Sequence, residues 1–264
     1  MSFAVEVDGV SKLYGSGQGL VRALVDASLR IAPGEFISLI GPSGCGKSTL
    51  LRLIADLASP SRGTIRVNGK SPREARLARE FGMVFQSPVL YEWRTVLRNV
   101  LLPLEVMGVP AAEARDKARA MLNLVGLSAF ENHHPWQLSG GMQQRVAIAR
   151  ALVFHPPLLM MDEPFGALDE LTRERLNNEL LNLWQEQEKS TVLFVTHSIQ
   201  EAVFLSSHVV VMSPRPGRIE RIVDIDLPRP RTAEMRSQPR FFELVSAVRQ
   251  ALREDGSEEA AHGG

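Results

Sequence analysis

Apolar residues along the chain gather into short unbroken runs, separated by longer stretches of helical spacing. Phe3–Val7 and Leu24–Ile31 have strand character and flank a glycine-rich turn, Tyr14-Gly15-Ser16-Gly17. Glu35–Ile40 is a compact apolar run that ends directly in Gly41, and Lys47–Leu57 then takes helical spacing. Ile65–Val67 and Gly82–Phe85 follow as strands. From 87 to 137 the character changes: Pro88, Pro103, Pro110 and Pro135 surround two helical stretches, Val96–Met107 and Ala111–Val125, which predicts a helical insertion between strands. Alternation then resumes through helix Gly141–Phe154, strand Leu158–Met161, helix Glu170–Glu188, strand Thr191–Val195, helix Ser198–Leu205 and strand His208–Met212. Continuous apolar strands between amphipathic helices predict an α/β fold with a mostly parallel sheet covered on both faces. Residues 253–264 are polar, end in Gly-Gly and are expected to be disordered.

Composition narrows the function more than the fold. The chain has 264 residues, 44% apolar and 23% charged, enough for one large or two small domains. Thirty Lys and Arg balance thirty Asp and Glu, so no long-range field attracts nucleic acid, and none is expected as a partner. No apolar run approaches the roughly 18–20 residues needed to cross a bilayer. The segment Met1–Glu6 lacks the basic-then-apolar layout of a secretory signal. A cytoplasmic chain is expected, and a membrane role would require docking onto another protein. Cys45, the single cysteine, excludes an internal disulfide and a cysteine-built metal cluster.

The chemistry concentrates at strand ends. Gly41-Pro42-Ser43-Gly44-Cys45-Gly46-Lys47-Ser48-Thr49 lies between a strand and a helix and fits a phosphate-binding loop. Its glycines let backbone amides approach phosphates, the following helix points its positive end at them, Lys47 adds a point charge, and the Ser48 hydroxyl can ligate Mg²⁺. Cys45 contributes backbone only, although its place beside Lys47 and a helix start is expected to favour a reactive thiolate. Leu158–Met161 ends in Asp162 and Glu163: the first can reach the metal shell beside Ser48, the second can orient or deprotonate an attacking water.

Leu138-Ser139-Gly140-Gly141-Met142-Gln143-Gln144-Arg145 resembles the signature motif of ATP-binding-cassette ATPases. It opens a second phosphate-ready helix that has no lysine-bearing loop of its own. The resemblance covers about residues 3–231 and implies a P-loop core with a mostly parallel sheet, an N-terminal antiparallel β subdomain and an inserted α-helical subdomain at about 87–155. It leaves a helical extension at 232–252. It further implies ATP and Mg²⁺, with ATP sandwiched in a homodimer between the phosphate loop of one subunit and Ser139, Gly140 and Gly141 of the other. By the same resemblance Tyr14 stacks on adenine, Gln86 links metal and water to the helical insertion, Asp169 within Gly166–Asp169 crosses to the partner's site, and His197 contacts the γ-phosphate. Met142 departs from the glutamine usual after Ser-Gly-Gly. Leu101–Glu105, Ser213–Ile219 and Leu227–Arg231 resemble the nitrate/sulfonate/taurine importer branch, which also handles thiamin-precursor-type solutes. That implies multispanning permease subunits, which would hold this chain at the cytoplasmic face of the membrane, and, indirectly, a periplasmic or lipid-anchored solute-binding protein. The alternative is a soluble ATPase of the same superfamily in translation or DNA repair.

Overall fold

The computed structural model describes residues 3–15, 19–186 and 190–258. In chain order come β1 (Val5–Tyr14), β2 (Val21–Ile31), β3 (Phe36–Ile40), α1 (Lys47–Ile54), β4 (Arg62–Val67), α2 (Pro72–Leu77) and β5 (Phe81–Val84). Then follow α3 (Val96–Met107), α4 (Ala111–Leu124), α5 (Gly140–Leu152), β6 (Leu158–Asp162), α6 (Glu170–Glu186) and β7 (Thr191–Val195). The chain finishes with α7 (Ile199–Leu205), β8 (His208–Met212), β9 (Ile219–Asp224) and α8 (Pro239–Glu258).

A six-stranded sheet in the order β5-β6-β7-β3-β8-β9 forms the centre, parallel except for β9, which pairs antiparallel with β8. Its inner strands are apolar throughout because successive residues enter different cores. Leu159, Met161, Val192, Phe194, Val209 and Val211 join one, whereas Leu158, Met160, Leu193, Val195, Val210 and Met212 join the other. Period-two burial on both faces is what a strand between two covered layers requires. The first core continues into α3, α4 and α5, which pack on one another, and into α7 and α8. The second holds Leu50, Leu51, Leu53 and Ile54 of α1 together with Val5, Val7, Leu29, Ile31, Ile65 and Val67 from a separate antiparallel sheet, β2-β1-β4.

Several expected boundaries move. β1 continues well past Val7, so Tyr14 ends a strand; Ser16 and Gly17 of the expected turn lie outside the described residues, as do Gln187 and Glu188 of the expected helix. The segment from Arg253 does not begin in disorder: α8 runs on through Glu258, and residues 259–264 lie outside the described residues. α8 belongs to the main core, where Phe241, Leu244, Val245, Val248 and Ala251 are buried. Arg231 anchors the approach to it, donating to the Val203 and Phe204 carbonyls at 3.1 and 2.7 Å. Burial pushes that guanidinium down to about 9, with neighbouring Arg229 adding to the fall.

One loop braces the phosphate-loop segment from outside. Gly217 donates to the Ala23 carbonyl at 3.2 Å and accepts from the Val25 amide at 3.0 Å, while Arg215 Nε donates to the Gly44 carbonyl at 3.3 Å. A Cβ on Gly217 would fall 1.7 Å from the Cys45 carbonyl oxygen, so any side chain must displace the loop. Gly217→Ala is expected to destabilise the protein by about 2 kcal/mol or more. It should also weaken nucleotide binding; urea melts and nucleotide titrations check both.

Candidate functional site

Parallel strand direction brings four strand ends to one edge of the sheet. β3 leaves at Ile40 into the glycine loop that closes on α1 at Lys47. Gly46 makes the closing turn at φ 105°, where a Cβ would meet Leu24 Cδ2 at 2.7 Å and the Ala23 carbonyl at 2.8 Å, so only glycine fits. No side chain caps α1, and the positive end of its dipole opens on the loop. Lys47 is buried, and its ammonium donates to the Gly41 and Pro42 carbonyls at 2.8 and 2.9 Å. The loop thus holds its lysine inside the curve of its own backbone.

β6 supplies the acidic pair. Asp162 is buried at its last position and accepts a hydrogen bond from Ser48 Oγ at 2.9 Å. Burial raises its carboxyl above the usual range, while the Ser48 hydroxyl pulls the other way. Glu163 then turns with φ 48°, a left-handed conformation that costs a non-glycine residue on the order of 1 kcal/mol. Two backbone bonds hold it there: its amide donates to Val195 at 3.0 Å, and Gly166 donates back to its carbonyl at 3.2 Å. The turned carboxylate meets side chains from the ends of two further strands. Gln86 Nε2 donates to Glu163 Oε2 at 3.4 Å, and His197 Nδ1 lies 3.7 Å from the same oxygen.

α5 holds the segment around Gln86. Gln144 donates to the Phe85 carbonyl at 3.1 Å, and Arg150 donates to Val89 and Pro88 at 2.9 and 3.1 Å. At the other end of α5, exposed Ser139 caps the helix by accepting from the Met142 amide at 3.3 Å, with Gly140 and Gly141 in the first turn. A Cβ on Gly141 would lie 3.2 Å from Leu168 Cδ2, so the signature segment borders Gly166–Asp169 within the same chain. Asp169 in turn accepts from the Thr172 amide at 2.9 Å at the start of α6, a bond that lowers its carboxyl's pKa.

Direct contacts therefore join Ser48 to Asp162, and Gln86 and His197 to Glu163, and the two groups meet where Asp162 and Glu163 adjoin in the chain. Among the described residues no hydrogen bond ties Ser139, Asp169 or Tyr14 to either group. Tyr14 is partly exposed at the end of β1, with Lys12 Nζ 4.9 Å from its ring centroid. Residues not singled out from the sequence share the cleft: Arg173, Thr196 and Glu201 line it with Glu163, Gly166 and His197. The sequence alone does not set them apart, since Arg173 and Glu201 are ordinary residues in the first turns of α6 and α7. The expected reactivity of Cys45 fails on geometry. Its side chain is 1% exposed in the core shared by α1 and the antiparallel sheet, with Sγ 3.7 Å from Lys47 Nζ.

Comparison with known proteins places the chain in a family. The family model for ABC transporters matches residues 24–166. The nitrate import ATP-binding protein of Synechocystis is 43% identical over 97% of this chain and 97% of its own. The aliphatic sulfonates import ATP-binding protein of Bacillus cereus is 41% identical over 96% of this chain and 97% of its own. Among solved structures, a dimeric ATP-binding cassette in a post-hydrolysis state bound to ADP and Pi superposes with a TM-score of 0.78, at 36% identity over 85% of this chain and 100% of that one.

The burial of Cys45 has a direct test. The native protein is expected to resist a bulky maleimide for as long as it stays folded, and to label to one equivalent once unfolded in guanidinium, as read by intact mass.

Proposed function

The chain belongs to the ABC transporter family as its ATP-hydrolysing component, and we propose that Glu163 is the carboxylate that activates the attacking water. The observation that carries this reading is the convergence of Gln86 and His197 on one oxygen of a Glu163 held in a left-handed turn. Gln86 and Glu163 orient the water, Glu163 takes its proton, and His197 and Lys47 stabilise negative charge on the transferred phosphoryl group. Gly41 to Thr49 wrap the phosphates, and Tyr14 offers its ring to the adenine. The Ser48 hydroxyl and the Asp162 carboxylate, already paired, are hard oxygen donors of the kind Mg²⁺ takes, and we propose Gln86, bonded to the neighbouring Glu163, as a further ligand. Bound there, the ion would screen charge on the outer phosphates.

Ser139, Gly140 and Gly141 form a second phosphate-ready helix start that no hydrogen bond among the described residues joins to the first, which supports a homodimer in which each signature closes on the partner's nucleotide, with Asp169 crossing between sites. The dimeric state of the solved cassette supports the same assembly. A groove of about 490 Å³ beside α3, lined by Arg76, Phe85, Tyr91, Leu102, Met107 and Arg150, is where we place the multispanning permease subunits. Arg150 touches both this groove and the Gln86 segment, giving docking a route to the site. The relatives named for nitrate and aliphatic sulfonate import support an importer of a small anionic solute, delivered by a solute-binding protein, over a role in translation or repair. The protein would then work at the cytoplasmic face of the membrane; no helix among the described residues is long and apolar enough to cross it.

Glu163→Gln is expected to lower ATP turnover by at least about 100-fold while ATP still binds and traps a dimer visible by size exclusion. Lys47→Ala should instead lose ATP affinity. Turnover within twofold of wild type in Glu163→Gln would overturn the assignment.

Shared catalysis predicts complementation. Ser139→Arg and Lys47→Ala subunits are each expected to be inactive alone and to regain activity when mixed, because one composite site then has an intact phosphate loop facing an intact signature. Heterodimers that form without any rescue would count against the sandwich.

A further inference from the structure

We propose that Glu201 and Arg173 are a positioning pair that ties the histidine loop to the Leu168-Asp169 segment, so that each subunit's hydrolytic site is set together with the segment it lends to its partner. This rests on the roles of Glu163 and His197 and on the dimer proposed above. Glu201, on α7, is a buried carboxylate. One of its oxygens, Oε2, accepts from Thr196 Oγ1 at 2.5 Å, and Thr196 Oγ1 itself accepts from the Ser198 amide at 3.0 Å. Those two bonds flank His197 on both sides. The other oxygen, Oε1, faces α6: Arg173 Nε lies 3.7 Å away, and Asn177 Nδ2 donates at 3.5 Å. Arg173 then reaches the opposite direction, donating from Nη2 to the Leu168 carbonyl at 3.0 Å.

The ends of this chain of contacts decide its meaning. A strut that merely joined α6 to α7 would end on the helix bodies, where apolar packing does the same work without the cost of burying charge. Here both ends fall on backbone outside the helices, one beside His197 and the other beside Asp169. The cleft these side chains line is the one that contains Glu163. Arg236 also faces Glu201, but a buried carboxylate that loses the nearer of two cations is strained, so displacement of Leu168-Asp169 by a partner subunit, which pulls on Arg173, is passed to Thr196 and the histidine loop. Neither residue reaches the reacting atoms; both act through His197 and Asp169.

Steady-state kinetics on the full-length protein separate this role from a structural one. Glu201→Gln keeps the shape and an acceptor for Thr196 but removes the charge that Arg173 faces. It is expected to lower kcat about tenfold with the KM for ATP within twofold and the melting temperature within a few degrees. Arg173→Met should do the same, Arg173→Lys should recover most of the rate, and the double variant Glu201→Gln/Arg173→Met should be no slower than the slower single. In the complementing mixture of Ser139→Arg and Lys47→Ala subunits, Glu201→Gln should slow the composite site from either subunit. It acts through His197 when beside the intact Lys47 and through Asp169 when beside the intact Ser139. Additive losses, a kcat within twofold of wild type, or slowing from the Lys47-bearing subunit alone would overturn the proposal. A Glu163→Gln variant that hydrolyses ATP normally would instead overturn the catalytic reading beneath it.

Discussion

Everything at the site depends on the parallel pairing of β5, β6, β7 and β3, buried on both faces. Parallel strands expose their carboxyl ends at one edge, and there Gly41, Gln86, Glu163 and His197 emerge from four separate strands. Pairing fixes their spacing more tightly than loops could: Asp162 pairs with Val195, and the amide of Glu163 continues that ladder onto the Val195 carbonyl. The Glu163 carboxylate can therefore sit in an unfavourable turn, because the cost of about 1 kcal/mol is met by a sheet whose interior side chains are each worth more.

This architecture also explains what was legible from residues alone. β6, β7 and β8 announce themselves as unbroken apolar runs because both faces are buried, and the strand–glycine–helix context exposes the phosphate loop. β9 gives no such run. It is an edge strand, Ile219-Glu220-Arg221-Ile222-Val223-Asp224, in which every residue is at least partly exposed, so nothing apolar accumulates. α2 buries only Ala75 and is too short to show a period, although Ser71 and Glu74 form a capping box that marks its start. Residues from Arg253 onward are polar, yet α8 continues because Phe241, Leu244, Val248 and Ala251 anchor its earlier turns in the core.

At the site the division runs the same way. Motif residues could be found from spacing because each motif is a short run of residue types at a strand end or helix start. Their environment could not. Cys45 looked reactive by its neighbours and is silent by its burial, since the loop turns its side chain inward against α1. Arg173 and Glu201 are ordinary helix residues in sequence, and only the packing of α6 beside α7 shows that their charges meet. Arg215 and Gly217 appeared as features of a branch; in the fold they press on the glycine loop between β3 and α1.

The resting bonds of Lys47 bear on selectivity among nucleotides. Its ammonium is already satisfied by two carbonyls of its own loop, so a ligand that recruits it replaces contacts instead of adding them to a solvated cation. Such an exchange gains little from a weakly charged oxygen and much from a multiply charged terminal phosphate, whose stronger hydrogen bonds exceed those of a neutral carbonyl. Under the proposed role, the loop would respond to the charge that a ligand brings. In that role a polyphosphate chain, anchored along several amides at once, would be better able to draw the lysine out than a single phosphate held at fewer points.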